Sequence, residues 1–424
     1  MGSIQKHAGS LSNAHLKQIS MKFTNRNLGA IEKVFWLLDQ VSQVHFAFAA
    51  EINAVRNENE WQSAIDATQM RHPLLSARIA GDNETQPFFD FSDKKKIPVR
   101  FVEGLDDTRW LSEIETELSV PFDWSSAPLL RVVIVQYQNR SVIVIAAHHC
   151  IADGVGLSLV IRDIVAALAG QPLGTLPPPM SADEYLNLAK PIRHDGEKHA
   201  SGTTSIQRKA EIRPQVFQQV LSESLTEQIV NKVKAEKSTV NAVLSAALVL
   251  AGKKLSETWK HNEVRLVVPV SIRQALQIGE DCGLFITKKT INFQPNEVVL
   301  WSLANKINKE IAEINTLGSI AAETEGIRQF IFSPMDITDI SDILQNDVGR
   351  EIMVSNIGRI NYNTQTGKIK INSLWGPIAL SGSVGDQTVG ISTINGKMHL
   401  LHVSRIPIPA LLETTVDILQ ELLN

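Results

Sequence analysis

The sequence predicts an α/β protein of two domains, on three observations. Apolar β runs alternate with helix-patterned segments, as where Ser141-Val142-Ile143-Val144-Ile145 is followed by the apolar repeat from Val155 to Ala169. At 424 residues the chain is long for a single hydrophobic core. A polar, proline-bearing stretch at 171–212 parts two halves that each carry strands and helices. The expected organisation is a leader at 1–27, an N-terminal unit at 28–170, a crossover linker at 171–212 and a C-terminal unit at 213–424.

In the first half, Glu32 to Leu38 reads as a short helix and Val44 to Phe48 as an alternating strand. Trp61, Ala64 and Ile65 stand at helical spacing within Glu58 to Met70, and Pro73 closes that helix. Phe88 to Phe91 and Val99 to Val102 are short strands, and Trp110 to Leu118 is a helix. Val132 to Val135 and Ser141 to Ala147 pair across the polar turn Gln138-Asn139-Arg140. Gly170 caps the helix that follows. In the linker, His194 and His199 read as solvated residues.

The second half begins with a strand, Val216 to Val220, and an amphipathic helix, Thr226 to Lys237. Ser238 or Thr239 caps a mostly buried helix. A strand from Arg265 runs into Pro269 and ends at Arg273, and another covers Thr290 to Phe293. Leu300 to Ile314 is helical and Glu351 to Arg359 is strand, then turn. Asn395-Gly396 is a strong turn signal between Val389–Thr393 and Met398–Val403. Pro409 to Leu423 is the last helix.

The chemistry concentrates in His148-His149-Cys150-Ile151-Ala152-Asp153-Gly154, at the exit of a buried strand. Imidazole titrates near working pH, so it can take up a proton and return it. Neighbouring residues of a strand point to opposite sides, so one ring is expected to act and the other to support it. Asp153 stands where a helix N-cap belongs, and Gly154 permits a turn and a close backbone approach. The bland readings are packing for the histidines and a cap for the aspartate. No metal is expected, because the His-Glu-x-x-His helix spacing is absent and Cys150 and Cys282 are the only cysteines. Gly154 and Gly156 do not make a dinucleotide loop, since Leu159 takes the third glycine position.

Composition narrows the classes. Hydrophobic residues at 43% and charged residues at 20% describe an ordinary globular protein, and a net charge of −4 argues against nucleic acid. Without a disulfide framework, signal-peptide layout, myristoylation serine at Lys6 or long apolar run, a cytoplasmic protein with no membrane span is expected.

The His-His-x-x-x-Asp-Gly element after a β run resembles the signature of the chloramphenicol-acetyltransferase-like superfamily. Its members include alcohol acetyltransferases, peptide-synthetase condensation domains and polyketide-associated acyltransferases. Arg71-His72-Pro73-Leu74-Leu75, Phe122-Asp123 with Ala127 to Arg131, Thr239 to Leu248, Pro269 to Arg273 and Val354 to Gly358 resemble further family segments in the family order. Where plant relatives carry Asp-Phe-Gly-Trp-Gly, only Trp375 and Gly376 match.

The resemblance implies two α/β domains of similar topology with a tunnel between them. It implies His149 as general base, His148 as support, Asp153 as a structural residue paired with Arg273, and Gly154 at the turn. Ser355, Asn356, Trp375, Ser381 and Ser383 are the candidate substrate-binding residues, the serines and the asparagine as oxyanion donors. The implied reaction moves an acyl group from a CoA or carrier-protein phosphopantetheine thioester to a hydroxyl, in secondary-metabolite or lipid biosynthesis. No tightly bound cofactor and no acyl-serine step are implied, the latter because no Gly-x-Ser-x-Gly elbow occurs. The expected partners are the thioester donor, an alcohol acceptor and an acyl carrier protein, around a monomer. An amide-forming condensation enzyme and a non-catalytic scaffold are the alternatives.

Overall fold

The computed structural model describes residues 24–41, 43–81, 86–93, 95–188, 212–333, 335, 339–340, 343–344, 349–380 and 383–423. Most of the expected leader, linker residues 189–211 with His194 and His199, and Ser381 lie outside the described residues.

The first half runs β1 (Arg26–Asn27), α1 (Ala30–Val41), β2 (His45–Ile52), α2 (Glu58–Arg71), β3 (Arg78–Ala80), β4 (Phe88–Asp90), β5 (Val99–Glu103), α3 (Arg109–Ser119), β6 (Leu130–Gln136), β7 (Ser141–His148), α4 (Gly154–Leu168) and α5 (Ala182–Tyr185). The second runs β8 (Gln215–Leu221), α6 (Glu223–Ala235), α7 (Val240–Leu255), α8 (Glu257–His261), β9 (Val264–Ser271), β10 (Ile286–Phe293), α9 (Leu300–Ile314), α10 (Leu317–Ile331), β11 (Ile352–Arg359), β12 (Gln365–Thr366), β13 (Ile369–Ala379), β14 (Gln387–Ile394), β15 (Lys397–Ser404) and α11 (Leu411–Glu421). The fold is α/β, with two six-stranded sheets ordered β12-β13-β2-β7-β6-β5 and β10-β9-β11-β14-β15-β8.

β7 shows why its sequence reads as an unbroken apolar run. All eight of its residues are buried, because both faces of the sheet are covered. Ile143 and Ile145 join the core that includes Leu157, Val160 and Ile161 of α4. Val142 and Val144 face the other way, onto Trp110 and Ile114 of α3 and Leu401 and Val403 of β15. That second layer joins the two halves, so the strand carrying His148 is fixed from both sides.

β13 belongs by sequence to the second half but pairs antiparallel with β2, Leu374 opposite Ala50 and Ile378 opposite Ala47. The two halves therefore share a strand crossing. Neither β13 nor α10 was legible as an element. β13 contains Asn372, Ser373, Gly376 and Pro377, residues that read as turn. Its pairing shifts register between Trp375 and Ile378, which accommodates the proline. α10 has Gly318 and Gly326 inside it, each unfavourable in an isolated helix by about 1 kcal/mol. The strand through Pro269 continues to Ser271. β9 pairs with β11 only at Leu266 and Val267, so the missing proline N–H falls beyond that pairing.

Candidate active site

β7 ends at His148, and His149 opens a short 3₁₀ turn, His149–Ile151, before α4. The change of backbone parts the two rings. His148 is fully buried, with Nδ1 accepting the Cys150 N–H at 3.2 Å and Nε2 lying 3.6 Å from Asp39 Oδ2. Burial opposes ionisation of Asp39, but His148 and the Val44 N–H hold its carboxyl below the usual range. No sequence pattern singled out Asp39, an acid within the apolar α1.

His149 points instead to a cavity. Its Nδ1 lies 3.2 Å from Ala152 O, so the N–H donates there and Nε2 keeps its lone pair. The ring is held between Phe35 and Phe46, with centroids at 4.4 and 4.3 Å and near-parallel planes. Burial, then the neighbouring His148, pushes its pKa down to about 3. The ring is thus neutral at physiological pH.

The cavity, of about 200 Å³, lies between the two halves, where the tunnel was expected. Ile31, Val34, Phe35 and Leu38 of α1 line it at helical spacing, with Phe46, His149 and Gly154. Val267, Pro269, Ile286, Met353 and Ser355 face them from the second sheet, and Pro377 to Leu380 close a side from β13. Thr287, Lys288, Glu323 and Arg350 add polar groups to this mostly hydrocarbon wall.

Asp153 and Arg273 meet across the halves. Arg273 Nε lies 3.0 Å from Asp153 Oδ2, and Nη2 lies 3.0 Å from Oδ1. Both residues are buried. Asp153 also caps α4 by accepting the Gly156 N–H at 2.7 Å, and accepts the Phe285 N–H at 3.0 Å. Arg273 donates further to the carbonyls of Asp281 and Gly283. The two glycines answer to space. A Cβ on Gly154 would stand 2.8 Å from Pro377 Cγ, and one on Gly156 would stand 2.9 Å from Arg273 Nη2.

The other candidates disperse. Ser355 lines the cavity. Asn356 Oδ1 accepts the Gly358 N–H at 2.8 Å and so holds its own turn. Trp375 is not on the cavity lining; it packs in the layer between the halves, 5.4 Å from Trp110 and 4.6 Å from His399. Ser383 is exposed beyond β13. Phe35, Phe46, Pro377 and Arg350 were missed as site residues. Of these, only Phe46, within the expected strand, and Phe35, within the expected helix, had a signal at all.

Four imidazoles have pKa values pushed down mainly by burial: His149 to about 3, and His45, His399 and His402 to about 4. The unfolded chain protonates them near 6.5. Between pH 6.5 and about 4 the unfolded state therefore holds more protons at these sites, and stability falls with pH. Asp386 runs the other way: burial lifts it to about 7, so the native chain is the more protonated there between 3.8 and 7. Asp183 is raised by burial as well, but the four imidazoles outweigh these two carboxyls. Urea midpoints measured from pH 7 to 4.5 are expected to fall steadily, and a flat profile contradicts this assignment.

Among the described residues no helix is long and apolar enough to cross a membrane. A condensation-domain family model matches residues 36–317. Nonribosomal peptide synthetase agiA of Aspergillus flavus is 22% identical over 62% of this chain, but over 4% of its own length. The chain spans only 2–4% of the length of the curated relatives it matches. Polyketide synthase associated protein 5 of Mycobacterium tuberculosis superposes with a TM-score of 0.63 at 19% identity, covering 94% of this chain and 97% of that one. The TRI3 trichothecene 15-O-acetyltransferase of Fusarium sporotrichioides gives 0.64 at 13% identity, with 94% of both chains covered. At such identities these two likenesses concern the fold, whereas the family match runs from α1 into α10 through the histidine turn and the Asp153–Arg273 pair. The chain belongs to the condensation-domain family.

Proposed function

We propose that the protein transfers an acyl group from a CoA or carrier-protein thioester to a hydroxyl acceptor, with His149 as general base. One observation carries this reading: an imidazole with Nδ1 tied to Ala152 O and its ring between two phenylalanines stands on the wall of a largely apolar cavity. Such a ring is oriented before substrate arrives.

An alcohol is a weak nucleophile at neutral pH. Nε2 of His149 takes the hydroxyl proton as the oxygen attacks the thioester carbonyl carbon. The tetrahedral oxyanion then collapses, the C–S bond breaks, and the imidazolium returns its proton to the departing thiolate. Burial disfavours the imidazolium in the empty site, and the negative charge forming beside it offsets that penalty during reaction. Ser355, on the wall that faces His149, is our candidate donor to the oxyanion. Asp153 and Arg273 do not touch substrate; they hold the turn that carries His149.

The family match favours a second reading, amide formation with an amine acceptor, because the curated relatives are peptide synthetases. The test is thiol release from acyl-CoA and from acyl-loaded carrier protein, against panels of alcohols and amines. Turnover with alcohols alone supports the ester reading, and turnover with amines alone replaces it. Absence of any turnover rejects both.

A further inference from the structure

Arg350 precedes β11 and lines the cavity, yet it is only 8% exposed. Two inward arginines among the described residues show close binding to a carboxylate. Arg273 grips Asp153 at 3.0 Å and Arg131 grips Glu117 at 2.7 Å. Arg350 differs. Its Nε has no hydrogen-bond partner, and its ion-pair approach is to Asp386 Oδ2 at 4.0 Å, beyond hydrogen-bond range. Asp386 is itself lifted to about 7 by burial against the pull of Arg350, so its countercharge at neutral pH is partial. A buried cation without a close partner is costly, and an anion entering the cavity would remove that cost.

Of the other polar groups of the lining, Gln43 leaves its Oε1 without a partner, but that atom is an acceptor and does not attract an anion. Glu323 accepts from the Thr287 hydroxyl, and Lys288 has an interaction of its own. Arg328 also has nitrogens without hydrogen bonds, but it is not on the cavity wall and approaches Glu325 and Asp183 at 3.3 and 3.5 Å.

Position fixes the kind of anion. The turn bearing His149 reaches β11 at Ile357, which a Cβ on Gly154 would meet at 3.1 Å. Met353 and Ser355 then line the cavity back toward Arg350. Ile357 is not itself on the lining, so this stretch of wall runs from Arg350 to Ser355, at most about 16 Å between backbones at about 3.3 Å per residue. Arg350 and the candidate oxyanion donor Ser355 therefore mark the two ends of this mostly apolar stretch.

We propose that the cavity takes a substrate bearing a carboxylate remote from its reacting group, and that Arg350 binds that carboxylate through its planar fork of N–H donors. This rests on the acyl-transfer reading of the cavity. A thioester donor also carries phosphates, so the test holds them constant. Octanoyl-CoA is compared with its ω-carboxy counterpart, octanedioyl-CoA, and octanol with ω-hydroxyoctanoate, by thiol release. Wild-type protein is expected to favour the carboxylated donor or acceptor by about 10- to 100-fold in kcat/KM, the worth of a hydrogen-bonded charge pair. Arg350→Met is expected to lose activity by that much more with the carboxylated probe than with the neutral one, and Arg350→Lys to recover part of the difference. Equal losses for both probes would assign Arg350 to the phosphates or to the fold and overturn the proposal. So would a wild-type protein indifferent to the carboxylate, whatever the variants do.

Calorimetry with octanedioate, octanol and inorganic phosphate gives a readout free of turnover. If no donor releases thiol, the transfer reading fails alone, and the proposal then stands on octanedioate binding that Arg350→Met abolishes. If octanedioate binds wild type no better than octanol, the proposal falls even where transfer is active.

Discussion

Replacing His149 with alanine is expected to lower kcat for thioester transfer by about 10²–10⁴-fold, the usual worth of a positioned general base. The fold should survive. The substitution removes two ring stackings, on Phe35 and Phe46, and one hydrogen bond, to Ala152 O. Each aromatic contact is worth about 0.5–1.5 kcal/mol and the hydrogen bond about 1 kcal/mol. The ring faces a cavity and is incompletely buried, so the void left behind opens onto existing space. His148 cannot substitute as base, because its ring is fully buried with Nε2 turned toward Asp39. Single-turnover rates on folded variant, with the near-ultraviolet spectrum as control, check this. A folded variant that keeps near-normal rates rejects His149 as the base.

The candidate site was legible as a cluster because its residues are local in sequence. Two adjacent histidines, an aspartate and a glycine fall within one strand exit; alternation along a strand predicted that the rings diverge, and it is the end of β7 at His148 that parts them. What surrounds them was less legible, and for a common reason. Phe35 and Phe46 carry the pattern of ordinary core residues, and only the fold brings them to opposite faces of one imidazole. Pro377 sits in a segment whose Gly-Pro pair reads as a break, although β2 recruits it into an eleven-residue strand. Tertiary pairing there overrode local propensity. Trp375 shows the opposite failure: a large aromatic beside a family-like glycine suggested a binding surface, and it packs between the halves instead. Arg350 gave no signal, since a lone arginine before a strand does not reveal whether its guanidinium meets water or a cavity.

Asp153→Ala is expected to act on stability more than on chemistry, with a loss of about 3–5 kcal/mol. The pair it breaks is buried on both sides, and removing one partner leaves Arg273 charged and uncompensated. The same carboxylate caps α4 through the Gly156 N–H and satisfies the Phe285 N–H, so the substitution also strands two donors. Asp153→Asn keeps one acceptor oxygen, enough for the Gly156 or the Phe285 N–H but not both, and turns an NH2 toward the other donor, so it should cost less than alanine but more than the charge alone. Removing both ends of the pair, as in Asp153→Ala with Arg273→Met, should cost less than the sum of the single changes, because neither charge is then left buried alone. Urea unfolding of the four proteins measures that coupling. Activity per folded molecule separates positioning from chemistry: Ala152 O, which fixes His149 Nδ1, directly precedes Asp153, so some rate is lost with the clamp, but far less than with His149→Ala. An Asp153→Ala protein as stable as wild type would mean that the two halves are held together without this pair. A rate loss equal to that of His149→Ala in a stable protein would move Asp153 from the frame of the site into its chemistry.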